Sequence, residues 1–198
     1  MSRVEPIRDL AEEHRIEVEL SRLTTPRGRR MFLMWELGVF LGLRISDLIR
    51  LKVGEIRGRP TLEIREKKTR KKAILTISPQ LREVVRVRCA GMDDDDYLLQ
   101  SQRRGPDGRP MHITRERAYV DVQEIKRLTN VKVPMGCHTM RKTFGYQVYQ
   151  EHKDVAWLMD WFNHSSEAVT LIYIGITADN RKRVTDRMPF RDRAGIQL

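Results

Sequence analysis

The sequence predicts a mainly helical α+β domain with one small antiparallel sheet. Three observations lead there. Apolar residues recur at helical spacing through most of the 198-residue chain. Two short β-prone runs, Leu62 to Arg65 and Ala73 to Ile77, flank a very basic stretch and read as a single hairpin. Helix-start chemistry recurs, with Ser46 a favourable N-cap and Ser78-Pro79 placing proline at the first helical position.

Taken in order, Pro6, Ile7, Leu10, Ile16 and Leu20 mark a first helix with charged faces. Thr24 to Gly28 breaks it. Met31 to Gly42, rich in Phe, Leu, Met and Trp, reads as a buried helix, and a short one runs from Ser46 to about Leu51. The hairpin carries Lys67, Lys68, Arg70, Lys71 and Lys72 at its tip. A helix from Pro79 ends near Gly91, Asp93 to Asp96 is a solvated turn, and Arg103 to Pro110 is a loop. Thr114 to Leu128 is a helix with an apolar stripe through Ala118, Val122 and Ile125. Further helices are expected at about 138–152, 154–162 and 166–174, followed by a polar tail from Thr177. Trp35, Trp157 and Trp161 read as core, and Cys137 as a small buried neighbour of His138. No repeat or domain boundary is visible, so residues 1–198 read as one domain.

Charge bounds the partners. Thirty-eight Lys and Arg against 27 Asp and Glu leave a formal +11, which favours a polyanion, and nucleic acid is the commonest. The apolar run Met31 to Leu43 contains Glu36 and is too short and mixed to span a bilayer, so no membrane partner is expected. Met1 to Leu20 is charged throughout, so no signal peptide is expected there. Two cysteines, Cys89 and Cys137, lack metal-ligand spacing, and a reducing cytoplasm is the simplest home.

Chemistry concentrates in a few residues. His138 and Arg141 stand three apart and share one helix face. His164 lies in an Asn-His-Ser-Ser segment, and Tyr173 follows nine residues later. Far upstream stands Gly42-Leu43-Arg44-Ile45-Ser46-Asp47-Leu48. Two guanidiniums, two imidazoles and a phenol suit one task. The arginines offer paired N–H donors to the oxygens of a phosphodiester while a phenolic oxygen attacks phosphorus. Each residue also has a plainer reading: Arg44 at a helix start, Arg141 in an ion pair, His138 as a cap, His164 in a turn, Tyr173 in the core.

The ordered set resembles the tyrosine recombinases, also called the phage integrase family, over roughly Ile7 to Asn180. The pattern is an arginine in Gly-Leu-Arg-x-Ser-Glu/Asp-Leu, a hairpin lysine, His-x-x-Arg, a further His or Trp, and the tyrosine. The resemblance implies a recombinase catalytic domain in which Arg44 and Arg141 bind the phosphate and His138 handles a proton or the phosphate. His164 would hydrogen-bond a non-bridging oxygen. Lys68, picked from its neighbours by the threonine after it, would be general acid to the leaving 5′-oxygen. Tyr173 would be the nucleophile, forming a 3′-phosphotyrosine. Asp47 would orient the cationic cluster, and Lys67, Arg70, Lys71, Lys72 and Lys142 are expected DNA contacts. The implied partners are double-stranded DNA, other copies of the chain through exchange of residues 177–198, and a full-length recombinase. No cofactor or metal is implied, and the setting is a prokaryotic or phage-encoded cytoplasmic protein. The family usually carries a core-binding domain ahead of this one. Only 43 residues precede Arg44, so that domain is expected to be absent. A type IB topoisomerase-like enzyme and a DNA-binding accessory module of the same fold remain as alternatives.

Overall fold

The fold is built around one buried helix. In the computed structural model, which describes residues 4–68 and 70–186, α2 (Pro26–Leu41) runs through the main apolar core. Against it pack α1 (Leu10–Ser21), α5 (Pro79–Arg88), α6 (Arg115–Thr129) and α7 (Thr139–His152). Trp35, Met34, Leu37 and Leu41 of α2 are almost wholly enclosed, so this helix is apolar nearly all round, as a central one must be. Two short helices, α3 (Ile45–Leu48) and α4 (Val53–Ile56), lead into the hairpin β1 (Thr61–Arg65) and β2 (Lys72–Thr76). Their antiparallel register pairs Thr61 with Thr76 and Arg65 with Lys72.

A second, smaller apolar cluster of Leu158, Phe162, Ile174 and Ile176 lies under α8 (Val155–Phe162), α9 (Glu167–Ile174) and α10 (Ile176–Asp186). Helix α7 joins the two clusters. A Cβ at Gly38 of α2 would meet Met140 at 2.6 Å, and one at Gly145 would meet Phe162 at 2.6 Å, so α7 touches both neighbours at very close range.

Local chemistry explains the boundaries. Thr25 accepts from Gly28 N at 3.0 Å with Pro26 at the first turn, so α2 begins five residues before the expected Met31. Asp9 caps α1 by accepting from Ala11 N, which places Pro6 and Ile7 in an extended segment ahead of the helix. There Glu5 N donates to Pro134 O and Ile7 N donates to Thr143 Oγ1. The cap of α3 is Arg44, not Ser46, because Gly42 ends α2 in the left-handed region and the chain is already extended at Arg44 (φ −65°, ψ 143°) before turning helical at Ile45.

Three further expectations are corrected. The loop Arg103 to Pro110 belongs to a second hairpin, β3 (Gln100–Arg104) with β4 (Pro110–His112), whose polar strands lack apolar alternation. The polar tail continues as α10, held by Arg8 Nε on Asp179 Oδ1 at 2.8 Å. The part of the tail beyond Asp186 lies outside the described residues. Trp157 is not core: it is 42% exposed and stacks on the half-buried Trp161 with ring centroids 4.7 Å apart. Cys137 is half-buried.

Candidate active site

The site forms where three chain ends meet: the C-terminus of α2, the N-terminus of α7 and the C-terminus of α8. Gly42 ends α2 in the left-handed region at φ 58°, and a Cβ there would stand 2.3 Å from the Phe144 ring. Its carbonyl accepts from Arg141 Nη1 at 2.7 Å. The carbonyl of Phe162, in the last turn of α8, accepts from Arg141 Nη2 and from Arg44 Nη2, each at 3.2 Å. One orphan helix-end carbonyl therefore sets the two guanidiniums side by side, at the negative end of the helix dipole.

Arg141 is 2% exposed and its guanidinium carbon lies 4.4 Å from the Phe162 ring centroid. Burial lowers its pKa below the ordinary arginine value. Arg44 Nη1 stands 2.6 Å from Glu66 Oε1. That contact is an ion pair without hydrogen-bond alignment, so the buried Nη1 has no hydrogen-bond acceptor among the described residues.

Tyr173 enters from α9. Its Oη lies 3.2 Å from His138 Nδ1, and the two rings meet edge-on with centroids 6.2 Å apart. His138 is exposed on its outer edge. Packing around the rest of the ring lowers its pKa, and the charges of Arg141, Lys142, Arg115 and Arg44 push it the same way. The lowered pKa favours the neutral imidazole, whose two ring nitrogens are one donor and one acceptor according to the tautomer. Burial raises the Tyr173 pKa, while Arg141, by charge and hydrogen bond, and Arg44 oppose that rise. His164 stands on the other side of the phenol, 5.1 Å between centroids, with Nδ1 at 3.1 Å from Thr170 Oγ1. Burial, then Arg141 and Arg44, lowers its pKa also.

The β1–β2 turn is fastened beside this cluster. Asp47 Oδ1 accepts from Lys67 N at 2.9 Å, and Lys71 Nζ reaches Asn163 Oδ1 in the turn after α8. Lys68 lies exposed in the turn between these two anchors. Lys67, Arg70 and Lys72 are also exposed, and Arg70 adopts φ 61°. Asp47 therefore holds the hairpin; Arg44 is held by Glu66.

The structure corrects Lys142. It is not a surface cation: it is 7% exposed, its Nζ donates to Val4 O at 2.9 Å, and it sits 5.1 Å from the Tyr173 ring centroid. Four participants escaped sequence reasoning: Glu66, Thr170, the Phe162 carbonyl, and Arg115. Glu66 had one legible signal, a lone acid opening a run of cations. Among the described residues no group of three or more His, Cys, Asp or Glu is placed to hold a metal ion, and no helix is long and apolar enough to cross a membrane.

Comparisons with known proteins bear on the family and the fold. The model of the phage integrase family matches residues 12–179. A probable integrase/recombinase, YoeC, of Bacillus subtilis (strain 168) is 33% identical over 180 residues, covering 90% of this chain and 93% of the relative. The crystal structure of XerA recombinase superposes with a TM-score of 0.70 at 18% identity, over 96% of this chain and 67% of that one. XerH site-specific recombinase, in a post-cleavage complex with its palindromic difH substrate, gives 0.67 at 17% identity. This chain spans 54% of the XerH chain, and the match covers 93% of this one.

Proposed function

The chain belongs to the phage integrase family, and on that footing we propose that it cleaves and rejoins DNA strands through a covalent bond to Tyr173. The observation that carries the reading is the Tyr173 Oη–His138 Nδ1 contact of 3.2 Å beside two arginines that share one carbonyl.

The phenolic oxygen attacks phosphorus, and its proton passes to His138 Nδ1. Negative charge grows on the non-bridging oxygens. Arg44, Arg141 and His164 meet it with donors already in place. The P–O5′ bond breaks, and Lys68 gives the leaving oxygen its proton. The products are a 3′-phosphotyrosine and a free 5′-hydroxyl. A second 5′-hydroxyl then reverses the sequence on a new partner strand. The exchange conserves the number of phosphodiester-type bonds, so no high-energy cofactor enters the balance.

Lys67, Arg70, Lys71 and Lys72 suit contacts to the duplex around the hairpin. Self-association on DNA, exchange of residues 177–198 between copies, pairing with a full-length recombinase, and action as one catalytic domain in the cytoplasm belong to the same reading. A strand-transfer assay tests the class of activity. A nicked duplex that traps cleaved ends is offered together with a second duplex bearing a labelled 5′-hydroxyl strand. Labelled joined product is expected. Relaxation of supercoiled plasmid with no joining to the second duplex would make the protein topoisomerase-like. No cleavage at all would make it a binding module.

A further inference from the structure

A second cationic site lies away from Tyr173, where the N-terminal ends of α2 and α6 meet. There an open cavity of about 680 Å³ is lined in part by Arg27, Arg29, Arg30, Arg88 and Arg117. Behind it, Asp121 is 0% exposed. Its Oδ1 accepts from Arg27 Nε at 3.0 Å and pairs with Arg117 Nε at 3.3 Å. Its Oδ2 accepts from Arg30 Nε at 2.9 Å and Nη2 at 2.8 Å. Arg30 Nη1 also donates to Gln100 O.

One carboxylate thus faces three guanidiniums, and two positive charges are left over. Glu124 lies near Arg27, but its own oxygens bond Arg127 at 2.7 and 3.0 Å. The Arg27 and Arg117 side chains keep 39% and 42% of their surface exposed, so each offers an unused donor edge to the cavity. Arg88 is fixed over the Phe32 ring at 4.5 Å, and Arg29 is exposed. A carboxylate alone would need one such partner. The surplus, held in fixed orientation, matches an anion with several oxygens.

Helix α6 contributes near both sites: Arg117 lines the cavity from its first turn, and two residues earlier Arg115 O lies 4.0 Å from Sγ of Cys137, the residue before His138. Helix α2 links the two sites along its length. Arg44 follows its C-terminus and Arg27 opens its N-terminus, and a helix of that size is about 24 Å long at 1.5 Å per residue.

We propose that this arginine cavity is a second phosphate-binding site, gripping the backbone of the same DNA duplex away from the bond Tyr173 attacks. The proposal rests on the reading of the protein as a DNA-cleaving enzyme. It is tested by binding the protein to a fluorescent 30-base-pair duplex over a series of salt concentrations. The parent is compared with Arg27→Gln/Arg117→Gln and with Arg27→Lys/Arg117→Lys. Loss of two phosphate contacts should lower the slope of log affinity against log salt by about 1.8 in the Gln pair, and the Lys pair should retain the slope. Arg117→Gln alone, an exposed first-turn change, should lower it by about 0.9 and serves if the double variant does not fold. An unchanged slope in a folded Gln variant overturns the proposal, as does a parent that does not bind duplex DNA. Trapping of the covalent adduct in the same preparations separates the two readings. An adduct with an unchanged slope overturns the cavity alone. A slope that falls as expected, with no adduct from the parent, overturns the catalytic reading and leaves the cavity standing.

Discussion

The Phe162 carbonyl holds Arg44 and Arg141 in one plane of action, and each arginine has a different second anchor. Arg141 is fixed to Gly42 O, whereas Arg44 leans on Glu66. Arg44→Ala should slow adduct formation by a factor of 10² to 10³, since one preorganised donor at the developing charge is worth roughly 3–4 kcal/mol. Arg44→Lys should recover little of that loss, because an ammonium lacks the planar fork. Single-turnover cleavage of a nicked duplex measures both. If Lys restored most of the rate, Arg44 would be acting as a point charge only. His138 makes a second claim at this scale. Its pKa is lowered by burial and by four neighbouring cations, which favours the neutral base. Cleavage rate should be flat from pH 7 to 8 and fall only as the pH drops below about 6.5. A rate that kept falling above that point would place the proton elsewhere.

The candidate set was legible at the level of the residue because its members are chemically unusual in combination and keep their order along the chain. The partners that hold them were not. Phe162 acts through its backbone, which no side-chain pattern reports. Lys142 looked like one more surface cation, and its burial follows from Val4, 138 residues away. Glu66 sat beside two lysines and passed for a compensating charge.

Among the elements, the hairpin shows how a flexible cation is brought to a site. Its turn is tied at Lys67 to Asp47 and at Lys71 to Asn163, leaving Lys68 exposed between two fixed points. Lys68→Ala should slow cleavage of an ordinary 5′-oxygen linkage by 10²- to 10⁴-fold, the usual range for a positioned acid. It should leave a 5′-bridging phosphorothiolate nearly unaffected, since a thiolate departs without a proton. Equal loss on both substrates would reduce Lys68 to a phosphate contact. Elements with clear punctuation were read well: Ser78 caps α5, Thr114 caps α6 and Ser166 caps α9, each accepting from a backbone N–H three residues on. Those without it were missed. The β3 strand Gln-Ser-Gln-Arg-Arg has no apolar face to betray it, and α10 is polar in all but a few positions.

The whole molecule is strongly basic, yet it buries an acidic corner where α1 meets α2. Burial, with Glu17 and Glu13 close by, pushes the Glu36 carboxyl up to about 8, and burial with Glu17 raises Glu13 to about 7. A carboxyl whose folded pKa is raised binds its proton more tightly in the native state than in the unfolded chain. Its stabilising contribution is complete below the ordinary carboxylate range and is lost as pH rises through about 8. Glu36→Gln mimics the protonated form. It should melt higher than the parent at pH 9, by about 1–3 kcal/mol, with the gap closing toward pH 5. Thermal melts at the two pH values measure this; a gap independent of pH would show that Glu36 carries no linkage. Charge at this scale was legible from composition, but its segregation was not, because the acids meet only when two helices pack.

The central claim is that Tyr173 is the nucleophile of a metal-independent strand exchange. It is tested most directly by trapping. On a nicked duplex the short 5′-hydroxyl fragment diffuses away after cleavage and cannot rejoin. With EDTA present, the protein should accumulate on DNA as a covalent adduct, and peptide mapping should place the phosphate on Tyr173. Tyr173→Phe, which removes one hydroxyl and leaves the contacts of the ring with His164 and Phe162, should bind DNA as before and give no adduct. An adduct that persists in Tyr173→Phe, or one that maps to Tyr97, Tyr119, Tyr146 or Tyr149, would contradict the account.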